Sequence, residues 1–347
     1  MKVAITTVQV PFTRGGAEIH AEMLETELKK RGYNADIVTI PFKWYPYSSL
    51  VKSIEMGRMM DLSSVNGEKI DKVIAMKFPA YLVKHDDKVL WLLHQHRQAY
   101  DLWNTPYGDI HFWDNGEEVR DFIRSVDKKY LPEARKIYTN AKCTADRLKN
   151  YCNIEGTPLY HPPLNHDKFY TEEYKDYFFY PSRINSIKRQ RVLVEAMKYV
   201  KTDVKAVISG GAEEDELIYI KNLIKENKLE SKIKLAGFIS EDEKLKYYAN
   251  ALGVYFGAYN EDYGYITLES FYAKKTVIVH TDAGGPLEFV TDNYNGYVIE
   301  ADAKEVAKKL DYLYENKDEA KRLGENGYKS LREKNINWDY VINSLLS

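Results

Sequence analysis

Two glutamates, Glu261 and Glu269, are separated by seven residues in the stretch NEDYGYITLE. A carboxylate can accept two hydrogen bonds, so such a pair suits vicinal hydroxyl groups. Glu261 falls in a loop after a strand-like run, and Glu269 in the opening turns of the next helix. Gly264 between them lets the chain pass close to a ligand. Glu269 could instead sit there for favourable charge near a helix N-terminus. Glu261, Asp262 and Glu269 would nevertheless form a costly acidic cluster if buried without partners, which favours a binding role.

Two cations come next. Arg183 and Lys188 are five positions apart, after the run YFFYPS. Across a turn and a helix start they can converge on one polyanion, Arg with a planar fork and Lys with a compact charge. The alternative is a solvated basic face, because Arg189 and Arg191 lie beside them.

Other segments are built for close approach. In Arg14-Gly15-Gly16-Ala17-Glu18 two glycines precede a helix whose unpaired N–H groups can meet an anion. A turn needing positive φ would use the same residues. The stretch Asp282-Ala283-Gly284-Gly285-Pro286-Leu287-Glu288 suits either a close anion or a tight turn. No G-x-G-x-x-G is present, which disfavours a dehydrogenase. His94-Gln95-His96-Arg97 follows the apolar run KVLWLL, where an α/β site would be built. A histidine metal pair needs further ligands, and none is nearby, so no metal is assigned. One of the two histidines can line a cleft, or each can be a satisfied structural residue.

The elements that must position these residues alternate. Strand-like runs fall at 2–7, 35–40, 72–76, 88–93 and 136–139, with helices at 17–31, 117–130 and 144–151. The polar, aromatic stretch 161–176, with Pro162 and Pro163, breaks this rhythm and reads as a linker. A second alternation follows, with strands at 177–180, 204–209, 232–235, 252–256 and 276–280. Helices at 189–199, 213–226, 241–249 and 265–273 separate them, and helices fill most of 303–347. Two α/β doubly wound domains are the expected fold, with ligands at the C-terminal edges of the strands.

Composition agrees and excludes other classes. The 347 residues are enough for two cores. Hydrophobic residues at 44% and charged residues at 29% describe a globular chain. Lys and Arg total 50 against 52 Asp and Glu, too balanced for a dedicated nucleic-acid binder. Cys143 and Cys152 form neither a zinc spacing nor a disulfide framework, and fit a reducing compartment. No apolar run approaches the roughly 20 residues that cross a bilayer, and the start lacks a secretory pattern, so a cytoplasmic location is expected. The aromatic stretch 41–47 (PFKWYPY) could touch a glycan, a lipid carrier or a membrane surface, or form a packed loop.

In combination and order, these motifs resemble glycosyltransferase family 4, retaining enzymes of the GT-B fold. The resemblance rests on the GGAE loop, Arg183 with Lys188, and Glu261 with Glu269. Asp282-Ala283-Gly284-Gly285, Asn295-Gly296 and Trp338 add to it. It implies two Rossmann-like domains facing across a cleft. Residues 1–165 would bind the acceptor, 166–334 the nucleotide sugar, and 335–347 would form a last helix that can pack back toward the first domain.

The resemblance also assigns roles. Arg183 and Lys188 would clamp the donor diphosphate, Glu269 the ribose hydroxyls, and Glu261 would face the donor sugar. The backbone of Tyr263, Gly264, Tyr265 and Ile266 would lie close to sugar and phosphate. Gly237, Phe238 and Ile239 would contact the base. Gly16 would approach the diphosphate from the first domain. His94 fits the family's sugar-contacting histidine best, with His96 left open. Gly210-Gly211-Ala212 departs from the family's G-x-G turn and receives no role. Catalysis would rest on Glu261, His94, Arg183 and Lys188, without metal or further cofactor. The donor would be a UDP- or GDP-sugar. The acceptor would be a glycan or lipid-linked hydroxyl in surface glycan or glycolipid assembly, at the inner face of the membrane. An epimerase or phosphorylase on the same scaffold is the alternative, or a non-catalytic subunit that binds sugar nucleotides. Oligomeric state is not set by these residues.

Overall fold

A computed structural model describes residues 1–347. The chain divides into two compact units, residues 1–164 with 337–347, and residues 165–336. The first unit contains β1 (Lys2–Gln9), α1 (Gly16–Lys30), β2 (Asn34–Pro41) and α2 (Tyr47–Met59). A small hairpin, β3 (Ser64–Val65) and β4 (Glu68–Lys69), leads to β5 (Lys72–Lys77) and β6 (Lys88–His94). Then come α3 (Gly116–Tyr130), β7 (Lys136–Thr139), α4 (Lys142–Cys152) and β8 (Thr157–Pro158). Six strands form one parallel sheet in the order β2-β1-β5-β6-β7-β8. The interiors of β1 and β5 are buried on both faces, which is why they read as continuous apolar runs rather than alternating ones.

The second unit repeats the plan. It contains β9 (Tyr177–Pro181), α5 (Gln190–Ala196), β10 (Lys205–Ser209), α6 (Glu214–Glu226), β11 (Ile233–Gly237) and α7 (Glu241–Asn250). They are followed by β12 (Gly253–Phe256), α8 (Tyr265–Tyr272), β13 (Thr276–His280), β14 (Gly296–Ile299), α9 (Ala303–Glu315) and α10 (Lys317–Glu333). The parallel order is β11-β10-β9-β12-β13-β14. Strand order reverses beside β9, so the loops after β9, β12 and β13 open at one edge. The chain then returns to the first unit as α11 (Trp338–Leu346). There Trp338 lies edge-on to Trp91, 6.2 Å away, and Arg31 pairs with Asp339. No helix is long and apolar enough to cross a membrane.

Five elements escape the sequence patterns: the two-residue strands β3, β4 and β8, and the longer α2 and β14. α2 is absent from them because YSSLVKSIEMGRM mixes Ser, Gly and Met without a clear apolar stripe. Gly57 belongs there for packing: a Cβ would lie 2.6 Å from the Pro79 carbonyl oxygen. β14 is a short edge strand of mixed burial. The aromatic stretch before α2 is packed only in part, with Pro41, Lys43 and Pro46 exposed. Phe42 is buried in the core, and the Trp44 indole donates to Asp109 at 2.9 Å, while Tyr45 remains exposed.

Candidate functional site

The loops at the C-terminal edge of the second sheet are laced together by backbone bonds. Ser182 N donates to Ser209 O at 2.9 Å, Ile184 N to Gly211 O at 2.8 Å, and Gly210 N to Gly237 O at 2.8 Å. Gly210 has φ +134°, and a Cβ there would lie 2.4 Å from Ser182 O. Gly210 therefore serves close packing of the loop that carries Arg183, whereas a Cβ on Gly211 would meet nothing within 4 Å. Arg183 itself is exposed, and its carbonyl accepts from the Gln190 amide at 2.9 Å.

Asn185 caps a short turn, Ser186–Lys188, by accepting from Lys188 N at 3.2 Å. The buried Tyr180 hydroxyl donates to the Lys188 carbonyl, so the main chain is pinned there. The Lys188 ammonium pairs with the Glu261 carboxylate and lies 5.9 Å over the Phe256 ring. The two side chains of this ion pair are 20% and 25% exposed, so water reaches them only in part.

Glu261 is held by a second zipper. Asn260 N donates to Asp282 O at 2.8 Å, Glu261 N to Ala283 O at 2.7 Å, and Gly285 N to Glu261 O at 2.7 Å. Gly284 has φ +76°, and a Cβ there would stand 2.6 Å from Glu261 O. One on Gly285 would stand 2.5 Å from Asp262 O. The Gly284-Gly285 pair is thus required by backbone contact. Arg189 clamps this zipper, donating to both Asp282 oxygens at 2.8 and 2.7 Å while lying 4.8 Å over Tyr259.

Gly264, at φ +82°, turns the chain into α8, where a Cβ would meet Pro286 at 2.6 Å. Tyr263 is buried edge-on to Tyr265 and Phe289, at 5.2 and 5.7 Å, and Ile266 is buried beside them. One turn into α8, Glu269 is only 7% exposed. Lys244 Nζ donates to its Oε1 at 3.1 Å and the Tyr248 hydroxyl to its Oε2 at 2.7 Å. Burial acts to lower the Lys244 pKa, but Glu269 and Glu241 outweigh it and the net shift is upward. Burial and then Glu269 push the Tyr248 hydroxyl well above its ordinary range, so it remains a donor. Before α7, Gly237 has φ +66°, Phe238 is 88% exposed and Ile239 is half-buried.

The remaining residues belong to the first unit. Gly16 is the first residue of α1, and Gly15 N donates to Glu18 at 2.8 Å. Gly15 is extended, with φ −145°, so a positive-φ turn is not the reason for this glycine pair. His94 ends β6, half-buried, with Nδ1 2.6 Å from the Gln95 carbonyl. His96 is buried against Phe42 and Phe78, at 6.0 and 5.3 Å between ring centres. Burial, with smaller contributions from His94 and Lys77, lowers its pKa to about 3. His96 is therefore a neutral core histidine, and His94 is the one at the sheet's C-terminal edge.

The structure thus brings Lys188 to Glu261, and leaves Arg183 and Phe238 exposed on neighbouring loops. Sequence reasoning missed Lys244, Tyr248 and Arg189 as partners. Lys244 and Tyr248 are four apart on α7 and so share a face, but that spacing does not say what the face meets. No group of three or more His, Cys, Asp or Glu side chains is disposed to hold a metal ion.

Comparison with known proteins bears on the same unit. Residues 164–330 match the glycosyl transferases group 1 family. An uncharacterized glycosyltransferase of Methanocaldococcus jannaschii is 27% identical over 99% of this chain and 96% of its own. The alpha-1,3/1,6-mannosyltransferase ALG2 of Dictyostelium discoideum is 24% identical over 54% of this chain and 48% of its own. An N-acetylgalactosaminyltransferase of Campylobacter jejuni, named for a diphospho-undecaprenol substrate, is 32% identical over 35% of this chain and 32% of its own. The chain thus spans less than half the length of these last two relatives. Among solved structures, sucrose-phosphate synthase of Thermosynechococcus elongatus superposes with a TM-score of 0.79 at 17% identity, covering 99% of this chain and 97% of that one. HepE of Anabaena, solved with UDP-glucose, gives 0.71 at 14% identity, covering 100% and 98%. The fold is GT-B, two parallel-sheet α/β domains.

Proposed function

We propose that this chain is a retaining glycosyltransferase of family 4. It would take a sugar from a UDP- or GDP-sugar held by the second unit and place it on an acceptor hydroxyl. The gathering of Lys188, Glu261, Glu269 and the start of α8 on adjoining loops of one sheet edge carries this reading. A cation, carboxylates and a helix N-terminus are the set that a diphosphate joined to polyols requires.

In this reading Lys188 and Arg183 meet the diphosphate, and the first N–H groups of α8 add to them. The backbone of Tyr263, Gly264, Tyr265 and Ile266 passes beside phosphate and sugar. Glu269 receives the ribose hydroxyls, Gly237, Phe238 and Ile239 border the base, and Glu261 faces the sugar. Gly16 and His94 of the first unit are assigned to the same donor by the resemblance. The anomeric C–O bond to the diphosphate breaks as the bond to the acceptor oxygen forms on the same face. The acceptor proton passes to the departing phosphate oxygen. Negative charge grows on that oxygen, and one fixed donor aimed at it is typically worth about 10²–10³-fold in rate. The proposed acceptor is a glycan or lipid-linked hydroxyl, in surface glycan or glycolipid assembly at the inner membrane face; the diphospho-undecaprenol in the name of the Campylobacter relative supports the lipid-linked part.

Isothermal titration with UDP, GDP and ADP tests the donor site. Lys188→Ala and Glu269→Ala should each weaken binding of whichever nucleotide binds. Unchanged affinity in both variants would overturn the assignment. Product analysis then separates transfer from its rivals, since an epimerase needs no acceptor and a phosphorylase consumes inorganic phosphate.

A further inference from the structure

Glu269 is unusual in how completely its neighbours define it. It is 7% exposed, and each oxygen has its own donor. Both donors come from α7, at positions 244 and 248, so one helix face presents an ammonium and a phenol to one carboxylate. α7 is itself fixed at its start by a capping box, Ser240 with Glu243. The Tyr248 ring is buried between Phe179, 5.1 Å away, and Phe169, 5.5 Å away, so its hydroxyl has little freedom. Lys244 also pairs with Glu241 at 3.0 Å, which anchors the ammonium from a second side.

This arrangement holds the carboxylate from two sides. Each carboxylate oxygen has two acceptor sites, and the partners on α7 take one on each. The other lone pairs are left for a diol of fixed geometry. We infer that Lys244 and Tyr248 are positioning residues that aim Glu269 at a ribose 2′,3′-diol, making the donor a ribonucleoside diphosphate sugar rather than a 2′-deoxy one. The inference rests on the donor site proposed above. The structural principle is that a buried acceptor held in register discriminates sharply between a ligand with the hydroxyl and one without it.

The test is titration of the full chain with matched pairs: UDP and 2′-deoxy-UDP, GDP and 2′-deoxy-GDP. The native protein should prefer the ribonucleotide by about tenfold or more. In Tyr248→Phe the preference should shrink several-fold through weaker ribonucleotide binding, with the deoxynucleotide unchanged. Lys244→Met should do the same more strongly, and Lys244→Arg should restore part of it. Melting temperature is followed in parallel, and Tyr248→Phe, which keeps the ring, serves if Lys244→Met does not fold. A ribose preference unchanged in both variants, or an equal loss for both members of a pair, would overturn the positioning role. If the native chain bound no nucleoside diphosphate at all, the donor site itself would fall, and the positioning role with it.

Discussion

The pairing of Lys188 with Glu261 predicts that removing an active-site charge tightens nucleotide binding. With no ligand present the Lys188 ammonium is matched by Glu261. An arriving diphosphate must share that lysine and accept Glu261 as a near neighbour. Two unit charges about 6 Å apart, at an effective dielectric constant of about 20, repel by about 3 kcal/mol. The pair is 20% and 25% exposed, so water screens part of this, and surface-type pairs return only about 1 kcal/mol or less. A net opposition of about 1–2 kcal/mol is reasonable, and 1.4 kcal/mol is tenfold in affinity. Glu261→Gln keeps the shape and removes the charge. It should bind UDP, or whichever diphosphate the chain takes, about 5–30-fold more tightly in titration calorimetry. The gain should shrink as salt rises from about 0.05 to about 0.5 M, which shortens the Debye length about threefold. Transfer should fall by about a hundredfold or more if Glu261 has the proposed place beside the sugar. Glu261→Gln binding as weakly as the native chain, or more weakly, would refute the idea that the two charges are exchanged for ligand.

Other outcomes follow from the same contacts. Gly284→Ala forces a Cβ to within 2.6 Å of Glu261 O at φ +76°, and should cost about 1–3 kcal/mol in urea unfolding and lower transfer with it. Gly327→Ala on α10 would drive a Cβ to 2.2 Å from the buried Phe271 ring on α8, the helix that carries Glu269; about 1–3 kcal/mol of stability should be lost, with weaker nucleotide binding. His94→Ala should lower kcat and leave melting unchanged, whereas His96→Ala should lower the melting temperature, since its ring packs on Phe42 and Phe78. His20 stacks on His161 at 3.9 Å, and burial lowers its pKa to about 3. The unfolded chain protonates this group near 6.5 and the folded chain does not until about 3, so stability is lost as pH falls across that window, at about 1.4 kcal/mol per pH unit for one such histidine. His20→Phe should flatten the melting-temperature profile below pH 6.5, and an unaltered profile would sink that account.

The sequence shows most of the scaffold because parallel strands buried on both faces leave continuous apolar runs, as in KVAITT of β1 and TVIVH of β13. α2 is hidden because what holds it is tertiary: Gly57 against Pro79 has no local signature. His94 and His96 could not be told apart because alternation along a strand would place both on one face. The strand ends at His94, the chain turns, and His96 is carried into the core. Glu261 and Glu269 were conspicuous for an energetic reason, acidic groups beside glycine after a buried strand, but that signal is blind to who neutralises them. Their partners lie far off in sequence, Lys188 73 residues from Glu261 and Lys244 25 from Glu269. The two pairs also differ in a way that only burial reveals. Lys188 and Glu261 are part-wet, so a ligand can compete for the contact between them. Glu269, at 10% side-chain exposure, has Tyr248 as a second donor, and Lys244 has Glu241 as a second anchor. Breaking that set would strand a buried charge, a penalty larger than any one new hydrogen bond returns. On the proposed reading a ligand therefore adds to Glu269 but competes with Glu261, the fixed carboxylate serving recognition and the exchangeable one the reacting sugar.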